Sequence, residues 1–187
     1  DILKDVVKNI RKKIIALGGE VRFSSKLEYI QSNNGKVKSI IVNGDEIPCD
    51  ALVLALGHSS RDTYEMLNSI GIFMEPKAFA IGVRIEHPQE MINVGQYGKM
   101  ASHPRLQAAS YNLTYQSRAL GRGVYSFCMC PGGVVVAAAS EDKRLVSNGM
   151  SYHARNEENS NSALVVTVGP EDFEGTSVLR GMEFQRH

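Results

Sequence analysis

Apolar residues at Ile2, Leu3, Val6, Val7, Ile10, Ile14 and Leu17 recur every three or four positions, and Lys4, Lys8, Arg11 and Lys12 fill the opposite side. That period predicts an amphipathic helix, which Gly18-Gly19 would close as a C-terminal cap. Alternation then replaces the helical period. Glu20–Ser24, Leu27–Ser32 and Val37–Val42 read as strands, with turns at Asn33-Asn34-Gly35 and Asn43-Gly44 and a short return over Glu46–Cys49. Ala51–Leu56 breaks both patterns, being apolar at every position between Asp50 and Gly57. Such a run predicts a strand buried on both faces, as in a parallel sheet. A helix should follow, capped by Ser59 or Ser60, charged at Asp62 and ending near Asn68 before Gly71.

The pattern changes near Pro76, which marks the expected boundary between a segment 1–75 and a segment 76–187. In the second segment, Ala78–Ile85, Ser110–Gln116, Gly123–Cys130, Val134–Ala139 and Ala163–Val168 read as strands. Pro88–Asn93 reads as a short helix and Ser177–Gln185 as a final one, with Pro131-Gly132-Gly133 as a turn. Residues 147–162, rich in Asn, Ser and Glu, read as a long surface loop. The expected fold class is therefore α/β plus β: part of a Rossmann-like nucleotide-binding domain joined to a mainly antiparallel, β-rich substrate domain.

Composition narrows the function classes. With 21 basic and 20 acidic residues the net charge is +1, which gives no electrostatic reason to expect nucleic acid as a partner. No apolar run approaches the roughly 20 residues of a membrane helix, and no signal peptide opens the chain. The three cysteines, Cys49, Cys128 and Cys130, suit a reducing cytoplasm better than a disulfide framework. Asn112-Leu113-Thr114 matches a glycosylation sequon by accident in such a setting. Both ends fall inside helical patterns, as expected for a piece of a longer protein.

Two places carry candidate chemistry. The first is Ala55-Leu56-Gly57-His58. A glycine ending a buried strand lets a ligand approach the backbone, in the crevice where open α/β sheets bind nucleotides. A helix starting near Ser60 would offer its free N–H groups to a pyrophosphate. His58 reads either as a proton donor or as a helix-entry residue bonded to backbone. The second is Cys128-Met129-Cys130. On a regular strand both thiols face one side, with Cα atoms about 6.6–6.8 Å apart. They read either as a redox or nucleophilic pair or as two small apolar residues in a strand. No metal site is expected, because no second close Cys or His pair supplies the remaining ligands. Gly132 and Gly133 could turn backbone N–H groups toward a ligand or simply make a tight turn. Arg84 could orient an anionic substrate or form a structural ion pair with Glu86 or another acid, and His103 reads as a loop residue.

The hairpin, Asp50, the apolar run and the Ala-x-Gly ending resemble the second dinucleotide motif of two-domain flavoproteins, with Leu56 in place of the usual threonine. Gly18–Phe23, Ala55–Asp62, Tyr125–Gly133 and Ser147–Ser151 are similar to the bacterial NAD(FAD)-utilising dehydrogenase family across essentially the whole chain. That resemblance implies an FAD-dependent oxidoreductase acting on an unidentified small molecule, with NAD(P)H as a candidate electron donor. It implies backbone contact with the adenine at Leu27, and places Gly57 and its neighbours near the ribose or phosphates. It also implies a glycine-rich βαβ unit, and no Gly-x-Gly-x-x-Gly occurs in these 187 residues. The chain alone should therefore bind FAD weakly or not at all. Two rivals stand beside this reading: a non-redox or macromolecule-modifying FAD protein, and a thiol or metal module built on Cys128 and Cys130. A substrate-recognition module is a third.

Overall fold

The computed structural model describes residues 2–186, which divide into two compact units between Phe73 and Met74.

In the first unit the periodic apolar stripe forms helix α1 (Ile2–Ala16). The helix ends where glycine permits it: Gly18 takes φ +85°, and the Gly19 N–H bonds the Ile14 carbonyl at 3.0 Å. The strand expected over Glu20–Ser24 does not form. Ser24 turns into the left-handed region at φ +51°, and the Asn43 side chain fixes the turn by donating to Ser24 O and accepting from Lys26 N. Strands β1 (Leu27–Asn33), β2 (Lys36–Val42) and β3 (Asp45–Pro48) make an antiparallel meander. Both of its turns carry Asn-Gly with positive φ at both positions, the geometry whose twist matches a tight hairpin. Helix α2 (Arg61–Ser69) starts after Ser60 and stops before Gly71, at φ +77°.

The apolar run that predicted a buried strand is a correction. Residues 51–57 form no strand. A strand needs a ladder partner, and no strand of the described residues pairs with this segment. Val53 is consequently 87% exposed. The parallel, Rossmann-like part of the expected fold does not appear, and the described residues hold antiparallel sheets with a few helices.

The second unit is built on a four-stranded antiparallel sheet in the order β4-β9-β6-β5, from β4 (Phe79–Pro88), β5 (Thr114–Ser117), β6 (Arg122–Cys130) and β9 (Asn159–Val168). Strands β7 (Gly133–Ala137) and β8 (Ser147–Ser151) pair as a separate hairpin. Helix α3 (Gln89–Tyr97) follows β4 directly, and α4 (Arg180–Phe184) lies near the end. Phe79, Phe173 and Phe184 form an aromatic cluster with centroids 5.2–6.2 Å apart.

The expected surface loop over 147–162 is likewise corrected, since it contributes β8 and the first four residues of β9. Ser160, Asn161 and Ser162 are fully buried at 0% exposure. Polar side chains enter a core when their hydrogen bonds are met there. Ser160 Oγ lies 3.0 Å from His87 Nδ1, whose Nε2 lies 2.8 Å from Tyr111 Oη. Ser162 donates to backbone carbonyls, and Asn161 Oδ1 accepts from Arg84, while its Nδ2 is left without a partner.

Candidate functional site

In the first unit, Gly57 sits at φ +66° with open space where a side chain would project. Its carbonyl accepts from Tyr64 Oη at 2.9 Å, which ties the turn to α2. Ala55 is exposed and Leu56 half-buried, so neither is held in an interior strand. Leu27 pairs with Val42 at the start of β1. His58 is exposed, with Nδ1 3.5 Å from Ser59 Oγ. Ser60 does not cap α2 with its side chain. Its hydroxyl donates instead to Leu56 O at 2.9 Å, clamping the end of the apolar run onto the helix start. Asp62 accepts from its neighbour's Thr63 N–H and pairs with Lys26 Nζ at 2.9 Å. The Lys26 hydrogen bond is the first cause that lowers the Asp62 pKa. A ligand anion at this helix end would meet that carboxylate beside the N–H groups.

In the second unit the two cysteines do not share a regular strand face. A β-bulge falls between Phe127 and Cys130, and Cys128 stands in the left-handed region at φ +48°. A bulge redirects side chains, and here it separates the pair: Cys128 is exposed and Cys130 half-buried, both as free thiols. Cys130 donates its S–H to the Cys128 carbonyl at 3.3 Å.

Cys130 lies directly across from Asn161 in the ladder, and Glu86 lies on Asn161's other side. The Arg84 Nη1 donates to Asn161 Oδ1 at 2.8 Å. The pair expected between Arg84 and Glu86 is not formed, and among the described residues no carboxylate reaches Arg84 at ion-pair distance. Gly149 of β8 covers this group. A Cβ there would stand 2.1 Å from Asn161 Oδ1, 2.6 Å from Arg84 Nη1 and 3.0 Å from Cys130 Sγ. Three polar side chains therefore converge on one point. Burial pushes the Cys130 thiol pKa up; Arg84 and a Ser151 hydrogen bond oppose that rise and Cys128 adds to it.

The Pro-Gly-Gly turn follows. The Gly132 N–H is used internally, donating to Gln89 Oε1 at 2.6 Å. A Cβ on Gly132 would stand 2.0 Å from the Arg155 carbonyl, and one on Gly133 2.4 Å from the Met150 carbonyl. Both glycines are buried and serve close backbone packing. Ser151 donates to Pro131 O at 2.7 Å and also lines a cleft of about 600 Å³ between residues 106–108 and 151–155. His103 lies in an exposed loop, its Nδ1 3.3 Å from Arg105 N. Among the described residues no group of three or more His, Cys, Asp or Glu side chains could hold a metal ion.

Residues 78–187, which include the whole thiol group, match the family described as FAD-dependent protein, C-terminal domain-like. The chain belongs to that family. An uncharacterized protein of Clostridium beijerinckii (strain ATCC 51743 / NCIMB 8052) is 72% identical over 187 residues. The alignment takes in 100% of this chain and 35% of that relative, so the chain spans about a third of the relative's length. Among the described residues of this FAD-dependent family member, no helix is long and apolar enough to cross a membrane.

The sequence pointed to Cys130 but not to Asn161, Arg84's partner, or to Gly149. The one signal was Ser147–Ser151, a stretch that carried the family resemblance without a visible chemical reason.

Proposed function

We propose that this chain is part of an FAD-dependent oxidoreductase in which NAD(P)H donates electrons to the flavin and an unidentified small molecule accepts them. The observation that carries the reading is the family match over 78–187, which takes in the bulged Cys128-Met129-Cys130 segment and its polar surroundings. FAD would supply the redox chemistry, and the protein its binding and orientation.

The residues fit an edge of that cofactor rather than all of it. Gly57, open at φ +66° before α2, can take the close approach of a ribose or phosphate, with Ala55, Leu56 and His58 beside it. Leu27 is proposed to contact the adenine through its backbone. The glycine-rich loop that would hold the pyrophosphate does not occur in these 187 residues. Cys128, Cys130 and His58 are the proposed catalytic residues. Three free thiols suit a reducing compartment such as the cytoplasm.

The test is the absorbance spectrum of the longer protein as purified. Flavin bands near 370 and 450 nm, the second bleached by NAD(P)H, are expected. A folded, colourless protein that takes up no added FAD refutes the reading. The 187-residue chain alone should quench flavin fluorescence only weakly, and micromolar binding would refute that part.

A further inference from the structure

The second unit holds a cleft of about 600 Å³ whose walls are residues 106–108 and the turn 151–155 at the end of β8. That volume lies in the usual range of small-molecule pockets. Both walls are fastened to one buried side chain. Gln89 Nε2 donates to the carbonyl of Ala109, next to the first wall, and Gln89 Oε1 accepts from Gly132 N. The Arg155 carbonyl of the second wall packs so closely on Gly132 that a Cβ there would stand 2.0 Å away. Arg155 itself is held in the left-handed region at φ +49°, its N–H donating to Tyr152 O at 3.0 Å. Residues other than glycine avoid that conformation, and it gathers at binding sites. The cleft is therefore shaped before a ligand arrives.

Its lining carries positive charge without an opposing acid. Arg155 and His153 line one wall, and no Asp or Glu lines either. Among the described residues no carboxylate pairs with Arg155, and the side chains of Gln107, Tyr152 and His153 bond no other protein group. Leu106 and Tyr152 are 41% and 48% exposed, apolar surface that an organic body would cover. We propose that this cleft binds a small organic molecule through an oxyanion group, a carboxylate or a phosphate, with Arg155 as the residue that holds the charge. The guanidinium meets either group with paired N–H donors. The His153 ring, the Gln107 amide and the Tyr152 hydroxyl supply further donors. The proposal goes beyond the flavin reading and does not depend on it.

Phenyl phosphate and benzoate are the probes, with benzyl alcohol as the neutral control. Backbone amide shifts of the 187-residue chain are followed by NMR during titration. Shifts at residues 106–108 and 151–155 are expected, saturating with a Kd of about 1 mM or tighter. The probe with the lower Kd identifies the anion. Arg155→Asn removes the charge and keeps a residue that tolerates the left-handed backbone. It should raise the Kd about tenfold, or about 1.4 kcal/mol, with amides outside the cleft unmoved. His153→Gln, at an exposed position, should raise it by a smaller factor. Shifts that are absent or centred elsewhere overturn the proposal, as does benzyl alcohol binding as tightly as the anions, or an unchanged Kd in Arg155→Asn. If Arg155→Asn does not fold, His153→Gln decides alone, and an unchanged Kd there overturns it. Failure here leaves the flavin reading standing, and a colourless longer protein leaves this result standing.

Discussion

Gly149→Ala is the sharpest perturbation of the second unit. Gly149 does not occupy the left-handed region, so alanine adds no backbone strain and the effect is steric. The new methyl would stand 2.1 Å from Asn161 Oδ1 and 2.6 Å from Arg84 Nη1, far inside contact distance. Asn161 cannot retreat, because it is fully buried between the β4 and β6 ladders. The bond from Arg84 to Asn161 must therefore lengthen or break. A hydrogen bond involving a charged group contributes about 1.5–3 kcal/mol, and overpacking a core costs about 1–3 kcal/mol. Together these predict a loss of about 3–5 kcal/mol in unit 2. At this size each kcal/mol is worth several degrees, so its melting midpoint should fall by roughly 15 °C. The chain has no tryptophan, so thermal melts followed by circular dichroism suit the measurement. A midpoint within about 2 °C of wild type would refute the claim that Arg84, Asn161 and Cys130 pack against the Gly149 backbone.

Gly95 is the contrasting case: it lies inside α3 with nothing within 4 Å of a would-be side chain. Gly95→Ala should stabilise by about 0.5–1 kcal/mol, read as a small rise in melting midpoint. Gln89 donates to Asn93 Oδ1 and Ala109 O and accepts from Gly132 N. Gln89→Ala leaves the Gly132 N–H and the Ala109 carbonyl without those partners and should cost about 2–5 kcal/mol, with faster amide exchange at Gly132. The Arg122 guanidinium, first among the causes, and the Gly169 N–H hold the Asp172 pKa below the ordinary carboxylate value. A carboxylate whose folded pKa is depressed adds stability above its unfolded pKa of about 4 and loses it as pH falls through the folded value. Melting midpoints taken from pH 6 to pH 3 should therefore drop less steeply for Asp172→Asn than for wild type.

Local chemistry made much of this chain legible. The period of α1, the two Asn-Gly turns, the start of α2 after Ser60 and the stop at Gly71 follow from short-range rules that act within a few residues. Strands β4, β6 and β7 were readable for the same reason, to within a few residues at each end. Two stretches inverted the reading. The most apolar run, 51–56, is exposed, and the polar Asn159–Ser162 lies in the central strand β9. Hydrophobicity alone does not decide burial; available partners do.

The candidate site divides in the same way. The sequence by itself determined the thiol at Cys130, the glycine at 57 and the likeness to an FAD-dependent family. Only the tertiary structure decided that the two cysteines part at a bulge, that Asn161 stands opposite one of them, and that Arg84 bonds Asn161 while no carboxylate of the described residues pairs with it. Those facts depend on the register of strands separated by some 30 to 80 positions in the chain. Register is set by the pairing of whole ladders and not by any local pattern.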